Sequence, residues 1–283
     1  MSGIIIQSIV ISGFYALIAI GFTMIFSVGR VLNLAYGVYI MLGGYVYYAL
    51  VQMAHLPKTL GFLCAILSGV IFAVITYAGL VKRLQSNPIA VEISTLILAV
   101  AMQAVMILIF TPAPRSIWPL IPGVVHLFGV SILKNLLLAM IISWVVLGSL
   151  LIFVRKTLVG RAIRAVSMDR KGALVSGIDP NRINLVIWGL SGALGAIAGV
   201  FFATYTQLDP AMWVGPLITA VAVVIVGGIG SIMGSLVAAH IIGFMETITT
   251  SLITPQLRGV FTLFLIIIIL VILPKGLFGR EEI

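Results

Sequence analysis

Residues 3–28 run for the length of a bilayer-spanning helix without one charged side chain, and stretches of the same kind recur to the end of the chain. A bilayer core about 30 Å thick needs roughly 20 apolar residues per helix. Backbone inside it must satisfy its own hydrogen bonds, which makes the helix the natural spanning element for runs of this length. With 62% hydrophobic and 8% charged residues and a mean hydropathy of +1.29, a soluble fold could not hide the apolar surface. The expected fold is all-α: a polytopic membrane helix bundle forming a single transmembrane domain over residues 1–283.

Spans are expected at 3–28, about 33–52, 60–81, 89–110, 131–154, 183–206 and 258–273. Residues 217–248 are too long for one ordinary span and are interrupted by Gly227, Gly228, Gly230 and Ser231. That region reads as two helices meeting at a glycine turn, or as a broken or re-entrant helix, and the total is eight or nine crossings. Gly13 and Gly21, and GLSGALGAIAG at 189–199, are small residues that let helices approach closely. Asn33 and Gly37 fall on one face of the second span near a membrane boundary. The loop 111–130 has four prolines, which argue against helix and leave room for a small extracytoplasmic cap. Cys64, the single cysteine, rules out an intrachain disulfide. The first span lacks the basic start and cleavage site of a signal peptide and reads as retained.

Seven of the sixteen basic residues lie in RKTLVGRAIRAVSMDRKGALVSGIDPNR, residues 155–182. If this segment is cytoplasmic, alternation places Arg30, Lys82, Arg83, Lys275 and Arg280 on the same side. Lys58, Arg115, Lys134 and Arg258 then lie outside, so twelve of sixteen basic residues are inside. The positive-inside rule is met with the N-terminus outside and the C-terminus cytoplasmic. The net charge of +9 belongs to this topology; no basic runs alternate with aromatics on a polar face, so no nucleic-acid partner is expected. Within the segment, Arg161 to Ser176 carries apolar Ile163, Val166 and Leu174 at helical spacing, with Arg161, Arg164 and Lys171 on another side. That predicts one short amphipathic helix outside the membrane. Gly177 can end it in the left-handed conformation, before Asp179 and Pro180 open the next span. Such a helix either lies on anionic headgroups of the lipid bilayer or docks a cytoplasmic protein.

A carboxylate at bilayer depth costs about 2.5 to 3.5 kcal/mol, so Glu92 stands out, although snorkelling or structural pairing suits a position near its inner span end. Glu246 is expected at the outer interface. His240, nearer mid-span, reads as a packed hydrogen-bonding residue ahead of a proton carrier. Asn33, Gln103 and Thr219 either line a pathway or bond helix to helix. Gly227, Gly228 and Gly230 either unwind a helix beside substrate or make a tight turn.

YALIAIGFTMIF at 15–26, NLAYG at 33–37, GRAIRAVSMDRKGALVSGID at 160–179, GGIGSIMGSLVAA at 227–239 and PKGLFGR at 274–280 resemble, in order, the permease subunits of branched-chain amino acid ABC importers. The resemblance implies alternating-access transport without covalent chemistry. It implies a cytoplasmic coupling helix that meets the ATPase through Gly160, Arg161, Arg164, Ala165, Met168, Asp169, Lys171 and Gly177. It also implies two cytoplasmic ATP-binding subunits, a second homologous permease subunit in a heterodimer, an extracytoplasmic substrate-binding protein and a place in the bacterial plasma membrane. The chain lacks a GxxxxGK[ST] loop, so ATP with Mg is expected on the partners and no catalytic, cofactor or metal site here. Candidate pathway residues are Asn33, Tyr36, Gly37, Glu92, Gln103, Thr219, Gly227, Gly228 and Gly230. Many members carry Phe and His where Leu34 and Tyr36 stand, often an acid at Val38, and Lys at Thr219. The pathway expected here is therefore less polar, and related permeases carry urea, short amides, sugars or nucleosides. An ion-coupled secondary transporter using Glu92, Glu246 or His240, and a passive channel, are the readings from other classes.

Overall fold

The structure, a computed structural model, describes residues 2–127, 130–254, 260–273 and 276–278. Lys275 and Arg280, two of the cations assigned to the inner side, and Arg258 lie outside the described residues. Among the described residues, six helical stretches are long and apolar enough to cross a membrane: Ile4–Gly29, Lys58–Leu84, Pro88–Phe110, Lys134–Lys156, Pro180–Tyr205 and Ile232–Leu252.

Helix α1 (Ser2–Gly29) is the central post. Its small residues Ser12, Ala16, Ala19 and Thr23 are fully covered, and its hydroxyls return to the preceding turn, as where Thr23 donates to the Ala19 carbonyl at 2.8 Å. At Arg30 the backbone turns left-handed, φ 49°, and the chain re-enters the bundle as a non-helical stretch. Helix α2 (Tyr36–Tyr48) follows and passes into a π-helical turn, Ala49–Met53. Helix α3 (Lys58–Thr76) also continues through a π-helical turn, Tyr77–Val81, into α4 (Lys82–Leu84). Asn87 caps α5 (Pro88–Phe110) by accepting the Ala90 amide at 3.2 Å, with Pro88 at the first helical position.

The cap between α5 and α6 is β structure. Strand β1 (Val124–Leu127) pairs antiparallel with β2 (Val130–Leu133), setting Val125 opposite Ile132. This moves the start of the fifth span from 131 to Lys134, because β-branched residues alternating with His126 and Ser131 suit a ladder better than a helix. Helix α6 (Lys134–Lys156) leads to α7 (Leu158–Met168) and α8 (Arg170–Val175). Then come α9 (Pro180–Tyr205), α10 (Val214–Gly227), α11 (Ile232–Leu252) and α12 (Val260–Ile272).

Helices α1, α2 and α9 occupy the centre, with α3 and α11 against them and α5, α6 and α12 outermost. The small-residue stripe of α9 meets that of α3, where Gly69 and Gly192 face each other so closely that a methyl on either would overlap the other's carbonyl. Helix α3 shows the matching outward face: Leu63, Leu67, Ile71 and Ile75 are exposed while Ala65, Gly69 and Ala73 are buried. That inversion of the soluble pattern is what a lipid-facing helix requires. Helices α1 and α9 run antiparallel: Phe14 stacks on Phe202 at 6.2 Å, and the Ser191 hydroxyl donates to the Gly21 carbonyl at 2.7 Å.

Candidate functional site

The basic segment folds as two helices where one was expected. The break is at Asp169, whose φ of −147° and ψ of 109° leave the helical region while its carboxylate accepts the Lys171 amide at 2.9 Å and caps α8. The interruption resets the helical phase, so Ala173 takes the inward position and Leu174 turns outward. Lys171 therefore sits on α8, apart from Arg161 and Arg164 on α7. Thr157 caps α7 by accepting the Gly160 amide at 2.9 Å. Gly160 itself is wedged against the end of α6, where a Cβ would meet the carbonyls of both Phe153 and Val154. Ile163 and Val166 face inward, Ala165 is half-buried, and Arg161, Arg164 and Asp169 are exposed. Among them stand Leu158, Met168, Leu174 and Val175, all more than half exposed. Gly177 adopts φ 80° after α8, and Asp179 caps α9 through the Asn181 amide at 2.9 Å.

Two contacts carry this region to the bundle. The Arg170 guanidinium donates to Gln85 Oε1 at 2.9 Å, just past the π-helical turn. On that turn, Tyr77 donates to Asn181 Oδ1 at 3.2 Å and packs against Trp188.

The pathway candidates separate into two groups. Gly37 and Gln103 meet at Trp213, between α9 and α10, and Asn33 and Tyr36 adjoin Gly37 at the start of α2. Asn33 precedes α2 instead of sharing its face, since its side chain accepts the Ala35 amide at 3.1 Å and forms a turn. It is also buried inside the bundle and donates to the Tyr39 hydroxyl at 2.9 Å. Tyr36 donates to the Ile18 carbonyl at 2.7 Å. A Cβ on Gly37 would overlap the Trp213 carbonyl, and the Trp213 indole donates to Gln103 Oε1 at 2.7 Å. On α5, Thr95 accepts the Leu34 amide at 3.1 Å, and Glu92 lies half-buried on the preceding turn. Thr219 is further along α10, with its hydroxyl donating to the Gly215 carbonyl at 3.1 Å.

Gly227, Gly228 and Gly230 form the α10–α11 turn, distant from that group. Gly228 and Gly230 have φ of 96° and 82°, conformations glycine adopts freely, and Gly227 packs directly on Gly234. Glu246 is buried between α11 and α1, accepting a hydrogen bond from Tyr15 at 2.7 Å. His240 packs on Trp144 at 5.3 Å with Nδ1 2.7 Å from the Leu236 carbonyl. The described residues contain no group of three or more His, Cys, Asp or Glu placed to hold a metal ion.

Residues 4–270 match the family described as the permease component of branched-chain amino acid transport systems. The chain belongs to this family. It is 27% identical to the high-affinity branched-chain amino acid permease protein LivH of Salmonella typhimurium, over 95% of this chain and 92% of that protein. It is 26% identical to BraD of Pseudomonas aeruginosa, over 99% and 96% of the two chains. A probable LivH permease of Methanocaldococcus jannaschii is 29% identical over 97% and 91%. No solved structure matches. The permease is thus a multi-pass membrane transport component, and the resemblance seen in its motifs extends over almost the whole chain.

Proposed function

We propose that this permease is the membrane subunit of an ATP-driven importer and forms a translocation pathway for branched-chain amino acids by alternating access. The observation that carries the reading is the outward face of α7 and α8. Exposed Leu158, Met168, Leu174 and Val175 lie beside Arg161, Arg164 and Lys171, a combination of apolar anchors and cations that suits an acidic-rimmed protein groove. Two cytoplasmic ATP-binding subunits would occupy such faces on this chain and on a second, homologous permease, with ATP and Mg held by those subunits. A substrate-binding protein would deliver the amino acid from outside, in a bacterial plasma membrane.

Nine crossings suit this reading: α1, α2 with its π-helical turn, α3 to α4, α5, α6, α9, α10, α11 and α12. Arg170 beside Gln85 brings the end carrying Lys82 and Arg83 to the basic helices. Gly230 beside Ser27 brings the α10–α11 turn to the end of α1. These placements support an outer N-terminus, a cytoplasmic C-terminus, a cytoplasmic 155–182 and an extracytoplasmic 111–130. Helix α10, at about 1.5 Å per residue, is shorter than the bilayer core, so its crossing includes the non-helical stretch before it.

The test is reconstitution of the permease with and without its ATP-binding partners and ATP. Uptake is expected only with both. Accumulation of substrate by the permease alone under an ion gradient would replace the importer reading with ion-coupled transport, and equilibration with neither would replace it with a channel.

A further inference from the structure

The turns that open α2 and α10 are built alike. In the first, Ala35 N–H donates to Asn33 Oδ1 at 3.1 Å, Tyr36 N–H to the Asn33 carbonyl at 3.1 Å and Val38 N–H to the Ala35 carbonyl at 3.0 Å. In the second, Ala211 N–H donates to Asp209 Oδ1 at 2.7 Å, Met212 N–H to the Asp209 carbonyl at 3.1 Å and Val214 N–H to the Ala211 carbonyl at 3.1 Å. The residues agree as well: Leu32, Asn33, Ala35 and Val38 answer to Leu208, Asp209, Ala211 and Val214. Gly29 ends α1 as far before Asn33 as Tyr205 ends α9 before Asp209. The correspondence continues into the next helices. Buried Ala65, Gly69, Ala73 and Thr76 of α3 repeat in spacing as buried Ser235, Ala239, Gly243 and Glu246 of α11. The first stripe faces α9 and the second faces α1, as Gly69 against Gly192 and Gly243 against Ser12 show.

Since α1 and α9 are antiparallel, the two halves are inverted copies. Gly37 and Trp213 hold the same place in each copy, and they touch. A position that contacts its own counterpart lies on the two-fold axis. The copies differ at this point. Trp213, in the second half, donates its indole N–H to Gln103 of the first half at 2.7 Å; Gly37 has no side chain with which to make the reciprocal bond.

Packing joins each half to the other, α3 on α9 and α11 on α1, so the bodies that can move are α2, α3, α5 and α9 on one side and α1, α10 and α11 on the other. We propose that these two bodies rock about the Gly37–Trp213 contact and that the Trp213–Gln103 hydrogen bond is the latch holding one of two tilts. Trp213 and Gln103 are then positioning residues for transport, an assignment that rests on the importer reading for what the rocking accomplishes.

The test measures distances between spin labels in the full-length chain, carrying Cys64→Ser, in lipid nanodiscs. One label pair, Thr59→Cys with Ser251→Cys, reports the outer ends of the two bodies; the other, Ser86→Cys with Met233→Cys, reports the inner ends. Gln103→Leu should change the ratio of two distance populations about 3- to 20-fold, the range for one hydrogen bond between helices in a bilayer. One pair should lengthen as the other shortens. Trp213→Phe keeps an aromatic ring and removes the donor, so it should reproduce the Gln103→Leu result. Unchanged distances, both pairs moving in the same sense, or an effect of Trp213→Ala that neither of the other substitutions reproduces would each overturn the latch. No nucleotide or partner enters this measurement, so its failure is distinct from a failure of ATP-driven uptake.

Discussion

A single methyl group at the α3–α9 crossing should cost stability that the same methyl elsewhere would add. On Gly192 it would overlap the Gly69 carbonyl and lie 2.6 Å from the Ala73 methyl; on Gly69 it would overlap the Gly192 carbonyl and lie 2.6 Å from the Ala196 methyl. Backbone carbonyls cannot swing aside, so the helices must separate, at about 1–3 kcal/mol for overpacking of this kind. Against that stands the gain of about 0.8–1.0 kcal/mol in helix propensity on replacing glycine by alanine. Gly192→Ala should therefore lose about 0 to 2 kcal/mol, whereas Gly148→Ala on α6, whose Cβ meets nothing within 4 Å, should gain up to about 1 kcal/mol. The double substitution Gly69→Ala with Gly192→Ala should cost less than the sum of the two, because helices already separated for one methyl accommodate the second. Reversible unfolding in mixed micelles reads all four variants. If Gly192→Ala is as stable as Gly148→Ala, the crossing is looser than described and the reasoning fails.

Replacing Arg161 and Arg164 together by Glu should leave the permease inserted but lower recovery of the ATP-binding subunits on affinity purification; unchanged recovery and transport would assign these cations to the lipid surface. In a double-mutant cycle of Tyr15→Phe and Glu246→Gln, the buried bond at 2.7 Å should give a coupling energy of about 0.6 to 1.7 kcal/mol, and strict additivity would dismiss it. Gly160→Ala should uncouple ATP hydrolysis from uptake in the reconstituted importer, while Arg170→Ala, which removes one exposed hydrogen bond, should reduce uptake only modestly. The reverse ranking would place the mechanical link at α4.

The lipid-facing and close-packed parts of the bundle were readable because both follow from residue type alone. Leu63, Leu67, Ile71 and Ile75 mark an outer face of α3 by size and spacing, and GLSGALGAIAG marks the centre by the absence of size. Turn chemistry was harder to read where it competed with a helical pattern. Asn33 lies at helical spacing from Gly37, yet its own side chain bonds the backbone two residues on and delays α2 to Tyr36. Asp169 does the same to the basic helix. The burial of Glu246 is not readable from its neighbours in sequence, because a partner that permits it, Tyr15, lies at the other end of the chain. Trp213 carried no local signal, since its importance comes from a contact with Gly37 and a bond to Gln103 that only the fold creates.

The same contrast bears on how a force at α7 and α8 would reach the bundle in the importer. Packing transmits displacement because close-packed interiors are nearly incompressible, and Gly160 puts α7 in direct contact with the backbone of α6. Arg164 adds only a weak contact there, 3.4 Å from the Arg155 carbonyl. The route through Arg170 to Gln85 is of another kind: one hydrogen bond between exposed side chains, worth about 1 kcal/mol at most against load, followed by the π-helical turn Tyr77–Val81. Gly79 in that turn has nothing within 4 Å of its Cβ position, so the turn has room to twist. A stiff link into α6 and a compliant one into α4 would let α7 and α8 tilt α6 while α3 keeps its tight seat on α9 at Gly69 and Gly192. The bundle then moves as two bodies, with the α3–α9 crossing inside the moving parts and the Gly37–Trp213 contact between them.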